Sequence, residues 1–226
     1  MKYDDFSAKR LVDELGKAGE VVHPDLINAI WARREETEPL LLNMFHESID
    51  DAWPTGDDPR WQRIVHAGKF LLAWQNGAAL PGFVRLYSSD DDGLLEVCEW
   101  FEEDLLHYGP AAIPYLKEVF QTTSNKPQEW HYGKALASGT LTKIATYYPE
   151  TREQVASIIR AQLPSIDTIA TLTQDDAREM WGNYAGELAE LADEGSREQI
   201  LALFEADLLF EDFIEREQYL RDMNRG

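Results

Sequence analysis

The chain has almost no cysteine: among its 226 residues only Cys98 carries a thiol. A single thiol excludes an intrachain disulfide, and the chain has no Cys-x-x-Cys pair of the kind found in zinc or thiol redox sites. No apolar run approaches the roughly 20 residues that a transmembrane helix needs. The first five residues, Met1–Asp5, also lack the apolar run of a signal peptide. We therefore expect a cytoplasmic protein without a membrane segment.

Positive charge is also scarce. The chain has 21 Lys and Arg against 42 Asp and Glu, a formal net charge of −21. The imbalance is spread along the chain, because residues 1–113 hold 10 cations and 22 acids. Such a surface repels phosphate backbones, so the composition disfavours direct nucleic-acid binding. It favours solubility and would also suit a basic partner protein, and composition alone leaves both roles open.

A short phrase recurs along the chain at an interval typical of helical repeats. It is centred near Pro39, Pro81 and Pro114, and a version without proline follows near Gln154 and Gln199. The steps between these positions are 42, 33, 40 and 45 residues. Two-helix solenoid repeats of the HEAT and armadillo type have periods of about 40 residues. We therefore predict an all-α fold, a right-handed α-α superhelix of about five HEAT/armadillo-like helix pairs.

The apolar positions follow the helical period and predict one solenoid over residues 1–226. Within it we expect N-terminal helices and a loop at 1–59, regular helix pairs at 60–206 and a C-terminal cap at 207–226. The expected helices cover 4–16, 24–31, 35–49, 60–75, 78–87, 94–108, 110–121, 129–147, 151–162, 174–192 and 196–206. Residues 165–172 are irregular or form a short helical turn. The repeated prolines should fall in first helical turns, and Asn76-Gly77 and Gly195 should end helices.

Residues 60–163 contain a set of motifs that match a known family in their order. The motifs are His66-Ala67, Gly77–Pro81, Trp100–Leu105 and Gly109–Leu116. With these motifs the chain resembles an uncharacterised bacterial family, domain of unknown function eleven-eighty-six, whose members look like HEAT-type solenoids. Many relatives end in a cysteine-rich zinc motif called SEC-C, which this chain lacks. The resemblance implies a helical solenoid and no established activity.

The most acidic part of the chain provides the candidate binding residues. No Lys or Arg occurs between positions 86 and 116, and the expected helix 94–108 follows three consecutive aspartates. This stretch is either a solvated helix face or a docking site for a basic protein, and Trp100 within it is expected in the core. The candidate partner-binding residues are Asp90, Asp91, Asp92, Glu99, Glu102 and Glu103.

The same segment contains the best candidate pair of metal ligands. Glu103 and His107 are four residues apart on the expected helix, and Glu99 lies on the same side, a spacing that can present ligands to a metal. Zinc needs three or four converging ligands, and no second matching pair occurs elsewhere. We therefore predict no metal, no cofactor and no catalytic residue. His66, among apolar neighbours, should be packed and hydrogen-bonded.

Three functional hypotheses follow. The first is a non-enzymatic protein-binding module that uses the curved face of a solenoid. The second is an acidic inhibitor or immunity-type protein that blocks a basic partner such as a nuclease. The third is a cryptic metal-dependent hydrolase. The aromatic clusters Trp130–Tyr132 and Tyr147-Tyr148 should pack in the core, or else serve as interaction anchors.

Overall fold

Helices make up 76% of the structure. The structure is a computed structural model that describes residues 3–51, 61–101, 104–122, 129–174, 178–210 and 213–224. These ranges contain no strand, so the all-α prediction is confirmed. No helix within them combines the length and the apolar character needed to cross a membrane. The α-helices are α1 Ala8–Leu15, α2 Pro24–Ala32, α3 Arg34–Asp50, α4 Gln62–Ala73, α5 Leu80–Tyr87, α6 Asp92–Cys98, α7 Ile113–Thr122, α8 Tyr132–Tyr147, α9 Arg152–Arg160, α10 Ile166–Ile169, α11 Glu179–Glu190, α12 Arg197–Glu205 and α13 Arg216–Met223.

The chain divides into two compact units, Met1–Tyr108 and Gly109–Gly226. In the first unit α3 is the central helix, and it packs against α1, α2, α4 and α5. In the second unit α8 packs against α7, α9 and α11, and α11 also contacts α9 and α13. Each unit therefore has a helical core of its own, and the single solenoid over 1–226 stays a prediction.

Three helix pairs are joined by the same connection. A three-residue 3-10 turn lies between the two helices in each pair, and the second α-helix begins at the next residue. These turns are Gly77–Ala79 between α4 and α5, Pro149–Thr151 between α8 and α9, and Glu194–Ser196 between α11 and α12. The repeated phrase marks the helices that follow, because Pro81, Gln154 and Gln199 lie in the first turns of α5, α9 and α12.

Three helices end at residues other than glycine in the left-handed conformation. Gln75 has φ 54°, Ala192 φ 48° and Asp207 φ 55°. After Gln75 the amide of Asn76 reaches back to the carbonyl of Leu71 at 2.9 Å, as in a Schellman motif. The prediction that Asn76-Gly77 and Gly195 end helices was therefore wrong. The terminating residue precedes each of them, and both glycines lie inside the following 3-10 turns.

The expected helix over 94–108 is interrupted. Helix α6 ends at Cys98, and 3-10 turns follow at Glu99–Phe101 and Asp104–Ala112, the second of which is kinked at Gly109, where φ is 53°. The tighter winding places the Phe101 ring inside, where it fills the space beside Gly68. A Cβ atom on Gly68 would lie only 2.6 Å from that ring. Phe101 therefore packs against a glycine of α4 that lies 33 residues earlier in the sequence.

Other boundaries differ from the sequence prediction at single helices. Helix α1 begins at Ala8 because the Ser7 hydroxyl accepts the Arg10 amide at 3.3 Å, the usual N-cap arrangement. Pro39 lies inside α3 rather than in its first turn, since α3 already begins at Arg34. The ambiguous residues 165–172 include the four-residue helix α10.

Candidate functional site

The structure describes part of the predicted acidic site. Asp90 and Glu99 are exposed, and the exposed Asp91 caps α6 by accepting the Leu94 amide at 3.1 Å. Asp92 is the first residue of α6. Glu102 and Glu103 lie outside the described residues, so their roles stay predictions. Asp91 has a structural role in addition to its charge, because its carboxylate satisfies a free amide at the helix start.

Trp100 is a surface residue, contrary to the prediction that it belongs to the core. Its side chain is 44% exposed, whereas the neighbouring Phe101 is fully buried. The Trp100 ring packs against Trp61, with ring centroids 5.9 Å apart. Phe101 takes the core position that was expected for Trp100, because the 3-10 turn after α6 directs Phe101 rather than Trp100 into the core. The acidic segment therefore includes a large apolar surface.

A lysine from another helix is brought to this acidic segment. Lys69 of α4 forms an ion pair with Asp104, and its ammonium group lies 5.7 Å from the centroid of the Phe101 ring. The sequence alone did not indicate this pair because its members are 35 residues apart. The pair neutralises one carboxylate of the segment and fixes Lys69 on the surface of the first unit.

An apolar groove lies on the first unit and was not predicted from the sequence. Its volume is about 220 Å³. Helices α1, α2 and α4 and the segment between α1 and α2 supply its lining. Trp31 on α2 is the most prominent side chain in it and is 50% exposed. We call it the Trp31 groove, and it is lined by Leu15, Val22, Ile27, Trp31, His66, Lys69 and Phe70.

His66 is packed at the edge of the Trp31 groove and hydrogen-bonded, as expected from its apolar neighbours. Its Nε2 atom lies 3.1 Å from the Gly19 carbonyl. Burial lowers the pKa of His66, so the neutral imidazole dominates at pH 7, and Nε2 then carries the proton that the carbonyl accepts. This histidine supports the path of the chain between α1 and α2.

The described residues hold no group of three or more His, Cys, Asp or Glu side chains placed to bind a metal ion. His107 is exposed, and its backbone carbonyl accepts a hydrogen bond from the Gln75 side chain at 2.9 Å. Its expected partner Glu103 is outside the described residues. The interruption after Cys98 also separates Glu99 from the expected continuous helix.

A set of polar contacts between α8 and α11 was also not predicted from the sequence. The Asn183 amide donates to the buried Ser138 hydroxyl at 2.9 Å. Glu187, one helical turn further along α11, is half-buried beside Thr142. Burial raises the pKa of Glu187 to about 7, and the charge of Glu190 adds to this effect. This carboxyl can therefore gain or lose a proton near neutral pH.

Both predicted aromatic clusters are largely at the surface. Trp130, Tyr147 and Tyr148 are exposed, whereas His131 is buried and caps α8 by accepting the Lys134 amide. The expectation of core packing was therefore wrong for the three exposed rings.

Comparison with protein-family models, with characterised proteins and with solved structures finds no match for the chain. The resemblance to domain of unknown function eleven-eighty-six stays a prediction.

Proposed function

We propose that the chain is a non-enzymatic protein-binding module built as a HEAT-like solenoid. The repeated connection between helix pairs supports the architecture, since the same 3-10 turn joins α4 to α5, α8 to α9 and α11 to α12. The short phrase that recurs in the sequence at steps of 42, 33, 40 and 45 residues agrees with it. Stacked helical repeats present extended surfaces that commonly serve to bind other proteins.

The exposed position of Trp100 within the acidic segment is the observation on which the binding function rests. Tryptophan is enriched among the residues that dominate protein interfaces. The Trp100 ring is 44% exposed and packs against Trp61. Exposed carboxylates, such as those of Glu96 and Glu99, lie near it in the sequence. A large apolar contact surrounded by negative charge suits a positively charged protein surface.

The partner is therefore a basic protein. A surplus of 12 acids over cations in residues 1–113 favours rapid association with it at low ionic strength. An acidic inhibitor that blocks a basic enzyme such as a nuclease is a special case of the same interaction, favoured by the net charge of −21. We place this interaction in the cytoplasm.

Peptides of equal length and of positive, neutral or negative net charge test the proposal. The immobilised chain should bind the positive peptides, and the association rate should fall as salt is added, because salt screens the attraction. The Trp100→Ala variant should release bound peptide faster. A Glu96→Gln/Glu99→Gln double variant should bind it more slowly, while Glu150→Gln/Glu198→Gln provides the same charge change on exposed residues of the second unit.

Surface plasmon resonance gives both rates. Equal binding of peptides of all three charges, or binding that is insensitive to salt, would refute a basic partner. Equal behaviour of the two double variants would show that overall charge, rather than the acidic segment, is responsible. A nuclease panel then tests inhibition: loss of nuclease activity on addition of the chain supports the inhibitor form of the proposal.

A further inference from the structure

Packed aromatic rings form the floor of the Trp31 groove. Trp31 packs against Phe70 and Trp74, with centroid distances of 6.2 and 5.6 Å, and Phe70 lies 5.3 Å from Trp74. Leu15 closes the groove from α1 and is fully buried. Because these side chains are held by one another, the groove is formed before any partner arrives, and binding needs little reordering of the floor.

The polar groups at the edge of the groove already have partners. Lys69 is paired with Asp104, and the His66 ring is hydrogen-bonded to the Gly19 carbonyl. An occupant therefore does not need to supply hydrogen bonds to either side chain. A polar ligand would instead lose its own hydration against Leu15, Ile27 and Phe70, at a free-energy cost that no contact here offsets.

The size of the groove distinguishes a side chain from a small-molecule ligand. Pockets for drug-sized ligands and cofactors measure about 300–1,000 Å³, and a cavity of about 150 Å³ is large enough for benzene. At about 220 Å³ the Trp31 groove fits one large apolar side chain.

We propose that the Trp31 groove receives one large apolar side chain, aliphatic or aromatic, from a positively charged segment of a partner protein, an inference that rests on the proposed protein-binding function. Charge complementarity identifies the segment: residues 1–113 carry 22 acids against 10 cations, and Lys69 at the groove edge is neutralised by Asp104. A second copy of this acidic chain would be repelled by the same charges.

Two lysine-rich peptides of identical length test this inference, one with leucine at its centre and one with alanine there. The wild-type chain should bind the leucine peptide about tenfold more tightly in fluorescence anisotropy titrations. In Ile27→Asp the two peptides should bind equally, because a carboxylate replaces part of the apolar wall. Ile166→Asp is the matched control: Ile166 is similarly exposed, at 43% against 38%, but lies on α10 of the second unit. This variant should keep the tenfold difference.

A second measurement uses only the wild-type chain and so does not depend on the folding of a variant. Isotope-filtered NOEs should connect the peptide leucine methyl groups with the Trp31 indole protons. Equal affinities of the two peptides for the wild type, or NOEs to other residues only, would overturn the groove assignment and leave the binding function standing. Binding of neither peptide would overturn both. Sedimentation velocity could instead show that the wild-type chain forms a dimer and that the Ile27→Asp variant does not. The occupant of the groove would then be a second copy of the chain rather than a basic partner.

Discussion

Arg160 and Asp193 form a two-pronged ion pair that joins α9 to the connection between α11 and α12. The Arg160 Nε atom lies 2.9 Å from one carboxylate oxygen of Asp193, and Nη2 contacts the other. The first unit has a counterpart at the corresponding connection, where the Asn76 amide donates to Glu38 on α3 at 2.8 Å. Two of the three connections are thus anchored to an earlier helix by a polar side chain.

The ion pair predicts a measurable loss of stability for Arg160→Met. The substitution keeps most of the apolar stem and leaves the Asp193 carboxylate, which is buried, without its partner. We expect the free energy of unfolding to fall by about 2–3 kcal/mol, measured by urea denaturation. Adding Asp193→Leu should recover much of this loss, because no buried charge is then left unpaired. If the loss of unfolding free energy in the double variant equalled the sum of the losses in the two single variants, the two side chains would not act together.

Two glycines of the first unit should respond in opposite ways to alanine. In Gly68→Ala the new methyl group would lie 2.6 Å from the Phe101 ring, so we expect destabilisation by about 1–3 kcal/mol. In Gly77→Ala no atom lies within 4 Å of the added Cβ, and stability should be unchanged or rise by about 0.4–1 kcal/mol. Thermal melting of both variants checks this, and equal melting temperatures would contradict the close packing of Phe101.

The neighbours Trp100 and Phe101 should differ strongly when replaced with alanine. Phe101→Ala removes a fully buried ring and should cost about 3–5 kcal/mol. Trp100→Ala removes a half-exposed ring and its contact with Trp61, and should cost about 1–2 kcal/mol. Denaturant titrations measure both values. A larger loss for Trp100→Ala than for Phe101→Ala would reverse the assignment of core and surface in this segment.

Glu187 should make stability depend on pH. Its folded pKa of about 7 lies above its usual value of 4.5, so its favourable contribution is complete below pH 4.5 and is lost as pH rises through 7. Glu187→Gln should therefore be more stable than the wild type at pH 8, by about 2 kcal/mol when partial exposure is allowed for. The difference should shrink toward pH 4.5.

Urea titrations at several pH values test the Glu187 prediction. Glu179→Gln, an exposed substitution on the same helix α11, is the control and should leave the slope between pH 4.5 and 7 unchanged. Parallel pH profiles for the wild type and Glu187→Gln would mean that this carboxyl is hydrated and titrates at its usual pKa.

Cys98 should be unreactive until the first unit unfolds. Its thiol is fully buried, and burial raises its pKa, so little thiolate forms at neutral pH. With a disulfide reagent such as Ellman's, we expect no colour from the native chain and one equivalent of thiol in denaturant. Rapid labelling of the native chain would contradict the burial of the α6 segment.

Local sequence signals explain the helices that were predicted well. Proline and its following apolar residues mark the starts of α5 and α7, and both signals act within one or two turns of the chain. The expected helices 60–75 and 174–192 end at Gln75 and Ala192, but the left-handed conformation of these residues was not predicted, because neither residue prefers it on its own. Backbone hydrogen bonds in the folded chain hold them there.

The candidate sites were harder to predict because distant residues form them. The acidic segment is visible in the sequence, yet whether Trp100 or Phe101 faces outward depends on Gly68, more than 30 residues away. The Trp31 groove combines α1, α2 and α4, and no single helix shows it. A sequence pattern shows which side chains are apolar, and tertiary packing decides which of them stay exposed.

The left-handed residues Gln75, Ala192 and Asp207 are positions at which glycine would relieve backbone strain. A residue with a Cβ atom pays roughly 1–2 kcal/mol in this conformation, and glycine does not. None of the three lines the Trp31 groove. Ala192→Gly should therefore stabilise the second unit, whereas glycine at Gln75 or Asp207 would also remove a side-chain hydrogen bond, to the His107 carbonyl or from Gln174. A second unit stabilised in this way would keep a control variant such as Ile166→Asp folded, so that binding and folding defects could be measured separately.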